Sequence, residues 1–255
     1  MNYGLYLSAQ GAQAQSTRLD VIANNLANAG TTGFKKDLAI FQENLPYDKE
    51  NGSLNQVPGN LNDSTGGTSL ADIVTDFASG PLQQTGATYD LALAGRGFFQ
   101  IENGSQKLYT RNGKFTVNNN GELISEGTNF PVLSQSGGRI LIPDGTKDVQ
   151  VGADGAVNAV ALDNTTAIVG SIGVFQPKSY DAMEKVGNSM YVAHGAINPA
   201  DSSVQVKQGY LEGSGTSSVS EMMQLIEASR SFETNMNMIK FHDDSLGRLL
   251  QSAAR

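Results

Sequence analysis

Cysteine and tryptophan are both absent from the 255-residue sequence. Without cysteine there are no disulfides, no thiolate metal ligands and no cysteine nucleophile. Basic residues are also few, with 17 Lys and Arg against 25 Asp and Glu and a formal net charge of −8. Because nucleic-acid binding needs a basic surface, we expect no nucleic-acid partner.

Long apolar runs are missing as well. No stretch approaches the roughly 20 consecutive apolar residues that span a bilayer, so we expect no direct membrane insertion. Segment 1–15 has no basic start followed by an apolar core, which predicts that a cleavable signal peptide is lacking. That pattern fits a cytoplasmic protein or the substrate of a signal-independent export machine.

Catalytic signatures are absent too. The only histidines, His194 and His242, have no partners at catalytic or metal-ligand spacing. The Gly-Arg-Gly segment 95–97 continues into a strand, which favours a turn over a phosphate-binding loop. Segments 118–122 and 154–155 lack the spaced carboxylates of a calcium site, so we interpret both as turns. We therefore predict that the protein is not an enzyme and has no metal or cofactor.

Glycine, in contrast, is abundant, with 29 residues. This favours short strands joined by tight turns in the middle of the chain. Segments 149–152 and 156–160, on either side of an Asp-Gly turn, predict a hairpin. The predicted strand regions are 89–94, 97–101, 109–117, 122–125, 149–152, 156–160, 168–175, 189–193 and 204–210.

The N-terminal segment has the pattern of a long helix. Small and apolar residues recur at alternating spacings of four and three, which is a heptad stripe typical of a helix packed lengthwise on another. We expect the helix to break at 28–33, where Gly33 adopts a positive φ and Phe34 anchors the following segment. The stripe consists of Leu5, Ala9, Ala12, Ser16, Leu19, Ala23 and Leu26.

The C-terminal segment mirrors the first over some 30 residues. Two helices with apolar stripes are expected to pair with each other and with neighbouring copies of the chain, because isolated stripes leave apolar surface in water. The second stripe consists of Met222, Leu225, Ser229, Phe232, Met236, Ile239, Leu246 and Leu250.

Three asparagines, Asn24, Asn25 and Asn28, stand near the end of the first helix. One interpretation is a polar outer face at a fraying helix end. The other is that their amides form hydrogen bonds between neighbouring subunits, since an amide is donor and acceptor at once.

The predicted fold is α+β. Long N- and C-terminal helices pair as a discontinuous helical module, and a β-rich body is inserted between them. We place the helical module at 1–43 plus 213–255, a flexible loop at 44–67 and the body at 68–212.

Several ordered segments resemble the signatures of flagellar rod and hook proteins. Segments 23–28 and 32–35 resemble the N-terminal signature, 90–99 and 109–115 resemble the body motifs, and 208–214 with 227–233 resemble the C-terminal signature. On these segments the chain most closely resembles the flagellar basal-body rod protein family.

The resemblance implies a structural subunit that assembles into the rod, the axial shaft that transmits torque from motor to hook across the periplasm. It further implies copies of the same chain, other rod proteins and the flagellar export apparatus as partners. Segments 76–82 and 168–175 favour the proximal over the distal rod protein, and 176–180 lacks an Asn-Pro-x-Gly-Leu pattern usual in the distal type. The alternatives are a distal rod subunit or, from another class, a secreted β-rich binding module.

The stripes and the break between helix and body together give the candidate assembly interface. Its predicted residues are Leu5, Leu19, Asn24, Asn25, Leu26, Asn28, Gly33, Phe34, Met222, Leu225, Phe232, Met236, Ile239 and Leu246.

Overall fold

The computed structural model describes residues 3–44, 67–104, 106–163, 165–201 and 203–253. Except for Asn44 and Gly67, the predicted flexible loop lies outside the described residues. The chain forms two compact units. Unit 1 consists of Met1–Ala27, Asp37–Asp76 and Ser217–Arg255, and unit 2 consists of Asn28–Lys36 and Phe77–Thr216.

Unit 1 contains two long helices, α1 (Tyr3–Ala27) and α2 (Ser218–Ala253). They pack against each other in antiparallel orientation, with Gly4 beside His242 and, seven residues along each helix, Gly11 beside Asn235. A Cβ atom at either glycine would lie 3.2 Å from the facing side chain. The predicted helix pair is therefore confirmed, and glycine allows its close approach.

The face that α1 buries differs from the predicted stripe. Ala12 is buried as expected, but Ala23 of the stripe is exposed, while Ile22 and Asn25 outside it are buried. The reason is that α1 also packs on a pair of strands, β1 (Asp37–Glu43) and β2 (Thr68–Thr75). The Asn25 amide donates to the Asp37 carbonyl oxygen and accepts from the Asp37 N–H, both at 2.9 Å.

These two strands form an antiparallel ribbon that the sequence did not predict. Asp37 lies opposite Thr75 and Glu43 lies opposite Thr68, with a bulge after Ile40. Several apolar side chains of the ribbon remain exposed, among them Leu38, Ile40, Leu70 and Ile73.

Unit 2 contains fifteen of the strands in the described part of the chain. They are β3 (Leu82–Gln84), β4 (Leu91–Ala94), β5 (Phe98–Asn103), β6 (Gln106–Thr110), β7 (Phe115–Val117), β8 (Leu123–Ser125), β9 (Thr146–Val151), β10 (Ala156–Ala161), β11 (Thr166–Ser171), β12 (Val174–Pro177), β13 (Met183–Gly187), β14 (Met190–Ala193), β15 (Ile197–Pro199), β16 (Gln205–Gln208) and β17 (Tyr210–Glu212).

The largest sheet of unit 2 has six strands in the order β13-β14-β6-β5-β12-β15. A three-stranded sheet has the order β11-β10-β9, and β16 pairs with β4, β17 with β3 and β7 with β8. One core contains Phe99, Ile101 and Phe115, and a second, aromatic one contains Phe98 and Tyr191. The α+β fold class is thus confirmed.

The predicted hairpin is present, with Val151 of β9 opposite Val157 of β10 and Gly155 at φ +82° in the turn. Three predicted strand regions are wrong as continuous strands, and one of them is region 204–210, which Gly209 (φ +75°) divides between β16 and β17. Region 168–175 divides between β11 and β12, and region 109–117 divides between β6 and β7. In region 109–117 Gly113 crosses so close to the Leu91 carbonyl that a Cβ atom would lie 1.6 Å from its oxygen.

Candidate functional site

A buried carboxylate in unit 2 binds two buried cations. Glu212 ends β17, and its side chain is 1% exposed. Its Oε1 lies 2.6 Å from Lys35 Nζ, and its Oε2 lies 3.0 Å from an Arg111 guanidinium nitrogen. Both cations are also almost fully buried. Buried charges are tolerated when they are paired and hydrogen-bonded, so this arrangement depends on all three residues.

Backbone groups add further hydrogen bonds around these charges. The Gly80 N–H donates to Glu212 Oε1 at 2.8 Å, and Lys35 Nζ donates to the Ala78 carbonyl oxygen at 2.7 Å. Arg111 donates to the Gly95 carbonyl oxygen at 2.7 Å. We call the side chains of Glu212, Lys35 and Arg111 together with the backbone at Ala78 and Gly80 the Glu212 cluster.

The turn at Gly33 lies directly beside the cluster. Gly33 has φ +66°, as predicted, and its N–H donates to the Glu212 carbonyl oxygen at 2.8 Å. A Cβ atom there would lie 2.4 Å from the Arg111 carbonyl carbon. Phe34 is buried, which confirms its anchoring role, and Lys185 Nζ lies 4.5 Å from the centre of its ring.

Three of the segments that resemble flagellar signatures meet here. Lys35 belongs to segment 32–35, Arg111 to segment 109–115 and Glu212 to segment 208–214. Sequence reasoning missed the cluster because Lys35 and Glu212 are 177 residues apart and Arg111 and Glu212 are 101 apart. The available signal was weak: segments 32–35 and 208–214 each carry a single charged residue, whereas segment 109–115 carries both Arg111 and Lys114.

The predicted interface residues lie partly on the helix pair of unit 1 and partly in unit 2. The helical members are partly buried except for Asn24 and Met222, which are exposed, and Asn25, which is buried. Gly33 and Phe34 lie inside unit 2, as does Asn28, whose carbonyl oxygen accepts from the Ser214 hydroxyl at 3.0 Å. Their part in assembly stays a prediction.

An apolar face of α2 was not predicted. Val219, Met223 and Ile226 are 63%, 67% and 53% exposed, and they lie on the side of the helix opposite the fully buried Ala228. Phe241, 70% exposed, continues this side about four turns beyond Ile226. The signal was present in the sequence, because 219, 223 and 226 also follow the spacing of four and three.

The two polar turns are held by their own side chains. Asn118 Oδ1 accepts from the N–H groups of Asn120 and Glu122, each at 2.9 Å. Asp154 Oδ1 accepts from the Ala156 N–H at 3.1 Å, so both predicted turns are confirmed. The hydrogen bonds from Asn118 and Arg139 hold the pKa of the Glu122 carboxyl below its ordinary value.

The described residues contain neither a metal-binding cluster nor a membrane-spanning helix. Within the described ranges, no three His, Cys, Asp or Glu side chains come together as a metal site. Neither long helix, over its described length, is apolar enough to cross a membrane. The exposed His194 instead lies 2.6 Å from the Glu184 carboxylate.

Comparison with known proteins gives the class of the chain. Three family models match it: "Flagella basal body rod protein" over residues 5–35, "Flagellar hook protein FlgE/F/G D1 domain" over 92–159, and "Flagellar basal body rod FlgEFG protein C-terminal" over 207–252. The first and last cover α1 and α2, and the second covers part of unit 2. These matches define a structural protein of the flagellar axis.

Whole-length relatives narrow this class. The chain is 34% identical to the flagellar basal-body rod protein FlgG of Bacillus subtilis, covering 96% of this chain and 97% of the relative. It is 35% identical to the flagellar basal-body rod protein FlgF of Caulobacter vibrioides, covering 99% and 97%. The chain therefore belongs to the family of flagellar basal-body rod proteins of the FlgF/FlgG type, which is a structural family and not an enzyme family.

Proposed function

We propose that this rod subunit assembles with copies of itself into the axial shaft that transmits torque from motor to hook, at the proximal rod position. The position rests on segments 76–82, 168–175 and 176–180. The relatives contribute nothing to that choice, since the FlgG and FlgF proteins are 34% and 35% identical to the chain.

The observation that carries the assembly proposal is the exposed apolar face of α2. Met223, Ile226 and Phe241 are each more than half exposed, although one side of the same helix already packs on α1. Burying a side chain of this size stabilises an interface by roughly 1.5–3 kcal/mol. We propose that this face contacts a helix of a neighbouring subunit and that contacts of this kind repeat along an open-ended assembly.

The predicted stripe residues then divide into two groups. We propose that Leu5, Leu19 and Leu26 on α1, with Leu225, Phe232, Met236, Ile239 and Leu246 on α2, hold the helix pair together in a coiled-coil-like manner. Asn24 and Met222, which are exposed, are proposed to contact neighbouring copies. Asn25, Asn28, Gly33 and Phe34 have partners within the chain, and we propose that they shape the subunit rather than the interface.

The domain plan and the route to the rod belong to the same proposal. We propose that unit 1, which contains the two terminal helices, serves as the rod-core module and that unit 2 serves as the body. We further propose that the chain passes through the flagellar export apparatus and resides in the periplasm-spanning rod.

A charge placed on the α2 face tests the assembly proposal. Met223→Asp puts a carboxylate where apolar contact is proposed, so we expect rod assembly and motility to be lost while the purified chain keeps its thermal unfolding midpoint. The matched control is Leu162→Asp, because Leu162 is 75% exposed in the turn between β10 and β11. Complete rods in Met223→Asp cells, or equal loss in the control, would contradict the proposed contact face.

A further inference from the structure

The chain passes between its two units four times. These connections are Ala27–Asn28, Lys36–Asp37, Asp76–Phe77 and Thr216–Ser217. Any force on unit 1 that reaches unit 2 through the covalent chain must therefore enter by these four connections. Each of them leads, within a few residues, to the Glu212 cluster or to a backbone group bonded beside it.

The first two connections bound the segment Asn28–Lys36. Lys35, next to the second connection, donates to Glu212, and Gly33 donates to the Glu212 carbonyl oxygen at 2.8 Å. Asn28, at the first connection, accepts a hydrogen bond from Ser214, two residues after Glu212. Both ends of this segment are therefore bonded to the chain at Glu212–Ser214.

The third and fourth connections lead to the same place. Ala78 and Gly80, just after the third, bond Lys35 and Glu212 through their backbone groups. Glu212 itself stands five residues before Ser217. Along this last segment the N–H of Gly213 donates to the Pro81 carbonyl oxygen and the N–H of Gly215 to the Phe34 carbonyl oxygen, both at 2.8 Å.

We infer that the Glu212 cluster is the anchor that fixes all four connecting chains to the body, so that torque on the helices is carried into the body through one buried ionic group. This inference rests on the proposed function in one respect, namely that the force on the helices is torque. A charge-assisted bond suits the task because it is stronger than a neutral one and is shielded from water in this site.

The test compares Glu212→Gln with Glu122→Gln in the full-length chain. Both changes remove a carboxylate that is paired with an arginine, but Glu122 pairs with Arg139, whose side chain is half exposed. In Glu212→Gln we expect amide hydrogen exchange at Gly33, Gly80 and Gly215 to accelerate by about tenfold or more, while exchange in β5 and β6 changes by less than about twofold. Glu122→Gln should leave all of these rates unchanged.

A second variant keeps the inference testable if Glu212→Gln does not fold. Lys35→Met removes one cation and its bond to Ala78 but leaves Arg111 and Gly80 on Glu212, and it should accelerate exchange at the same glycines to a smaller extent. If exchange rises at Gly80 alone, or rises equally in β5 and β6, the anchor inference is overturned, since a purely local or a general stabilising role would give those patterns.

An experiment in cells distinguishes failure of this inference from failure of the proposed function. Cells carrying Glu212→Gln should build complete rods and, when swimming in viscous medium, shed more hooks with attached rod fragments than cells carrying Glu122→Gln. Equal shedding in the two strains overturns the inference. A gene deletion with normal rods and motility would instead overturn the proposed function and leave the exchange result standing.

Discussion

At the residue scale, Gly33 combines a positive φ with close backbone neighbours. An added Cβ atom would lie 2.4 Å from the Arg111 carbonyl carbon and 2.5 Å from the Asn112 nitrogen. We expect Gly33→Ala to lower the free energy of unfolding by about 1–3 kcal/mol or more, because alanine is strained at this φ and the neighbours are backbone atoms. Urea denaturation of the purified chain measures the loss.

The neighbouring glycine provides the control for this change. Gly30 has no heavy atom within 4 Å of an added Cβ atom, and its φ is not in the positive range. Gly30→Ala should therefore change stability by no more than about 0.5 kcal/mol. Equal destabilisation by the two substitutions would show that the turn geometry at Gly33 does not cause the loss of stability in Gly33→Ala.

Glu122 gives the protein a pH-dependent contribution to stability. Its pKa in the folded protein lies below the ordinary 4.5, first because Asn118 donates a hydrogen bond and then because Arg139 does. A lowered folded-state pKa means that the contribution is complete above the ordinary value and is lost as the pH falls through the folded value. NMR titration of the Glu122 carboxyl, with urea midpoints measured from neutral pH downwards, should show both effects.

Removing the Asn118 side chain, the largest cause of the lowered Glu122 pKa, tests this explanation. Asn118→Ala should raise the pKa of Glu122 towards its ordinary value and weaken the acid dependence of stability. A Glu122 pKa that does not move in this variant would contradict the assignment of the shift to the Asn118 hydrogen bond.

The conformations of single residues were predictable where they depend on the local backbone alone. Gly33 and Phe34 were found from the helix break alone, since a glycine after a helix end favours a positive φ. Glu212 was not found, because its pairing with Lys35 and Arg111 depends on strands and turns that meet only in the fold. The sequence predicted that the amide of Asn25 faces solvent or forms a hydrogen bond with a neighbouring subunit. In the structure it forms hydrogen bonds with Asp37 of its own chain.

At the scale of elements, the two helices depend on how closely they approach. Gly11 faces Asn235 at 3.2 Å from an added Cβ position, whereas Gly247 on α2 has no heavy atom within 4 Å. Gly11→Leu should overpack the pair and destabilise unit 1 by about 1–3 kcal/mol.

Gly247→Ala should instead stabilise the helix by roughly 0.5–1 kcal/mol, since it removes a glycine from a helix interior without a clash. Circular dichroism during thermal unfolding measures both changes. Destabilisation by Gly247→Ala, or none by Gly11→Leu, would contradict the packing described for α1 and α2.

The periodicity of four and three predicted that both helices exist and that they pair. It did not predict the full face that α1 buries, because α1 packs on the β1–β2 ribbon as well as on α2. The ribbon itself was missed because its two strands are separated by more than twenty residues in sequence, so that no tight turn signals their pairing. Exposed residues such as Met223 were missed since the stripe was aligned on Met222 and Leu225.

At the scale of the whole molecule, the order of helix, β-rich body and helix was predictable because the periodicity changes sharply along the chain. The four passages of the chain between two units were not predictable, since segment Asn28–Lys36 belongs with the body although the helix α1 and the strand β1 on either side of it do not. The rod function came from ordered segments spread over the sequence, and relatives aligned over 96% and 99% of the chain support the same family.

The most direct test of the central claim is electron cryo-tomography of motors in cells with an in-frame deletion of this gene, together with a motility assay. The account predicts non-motile cells whose rods are truncated and carry no hook, with truncation near the motor if the subunit is proximal and further out if it is distal. Complete rods with hooks in motile cells would contradict the claim that this chain is a required subunit of the rod.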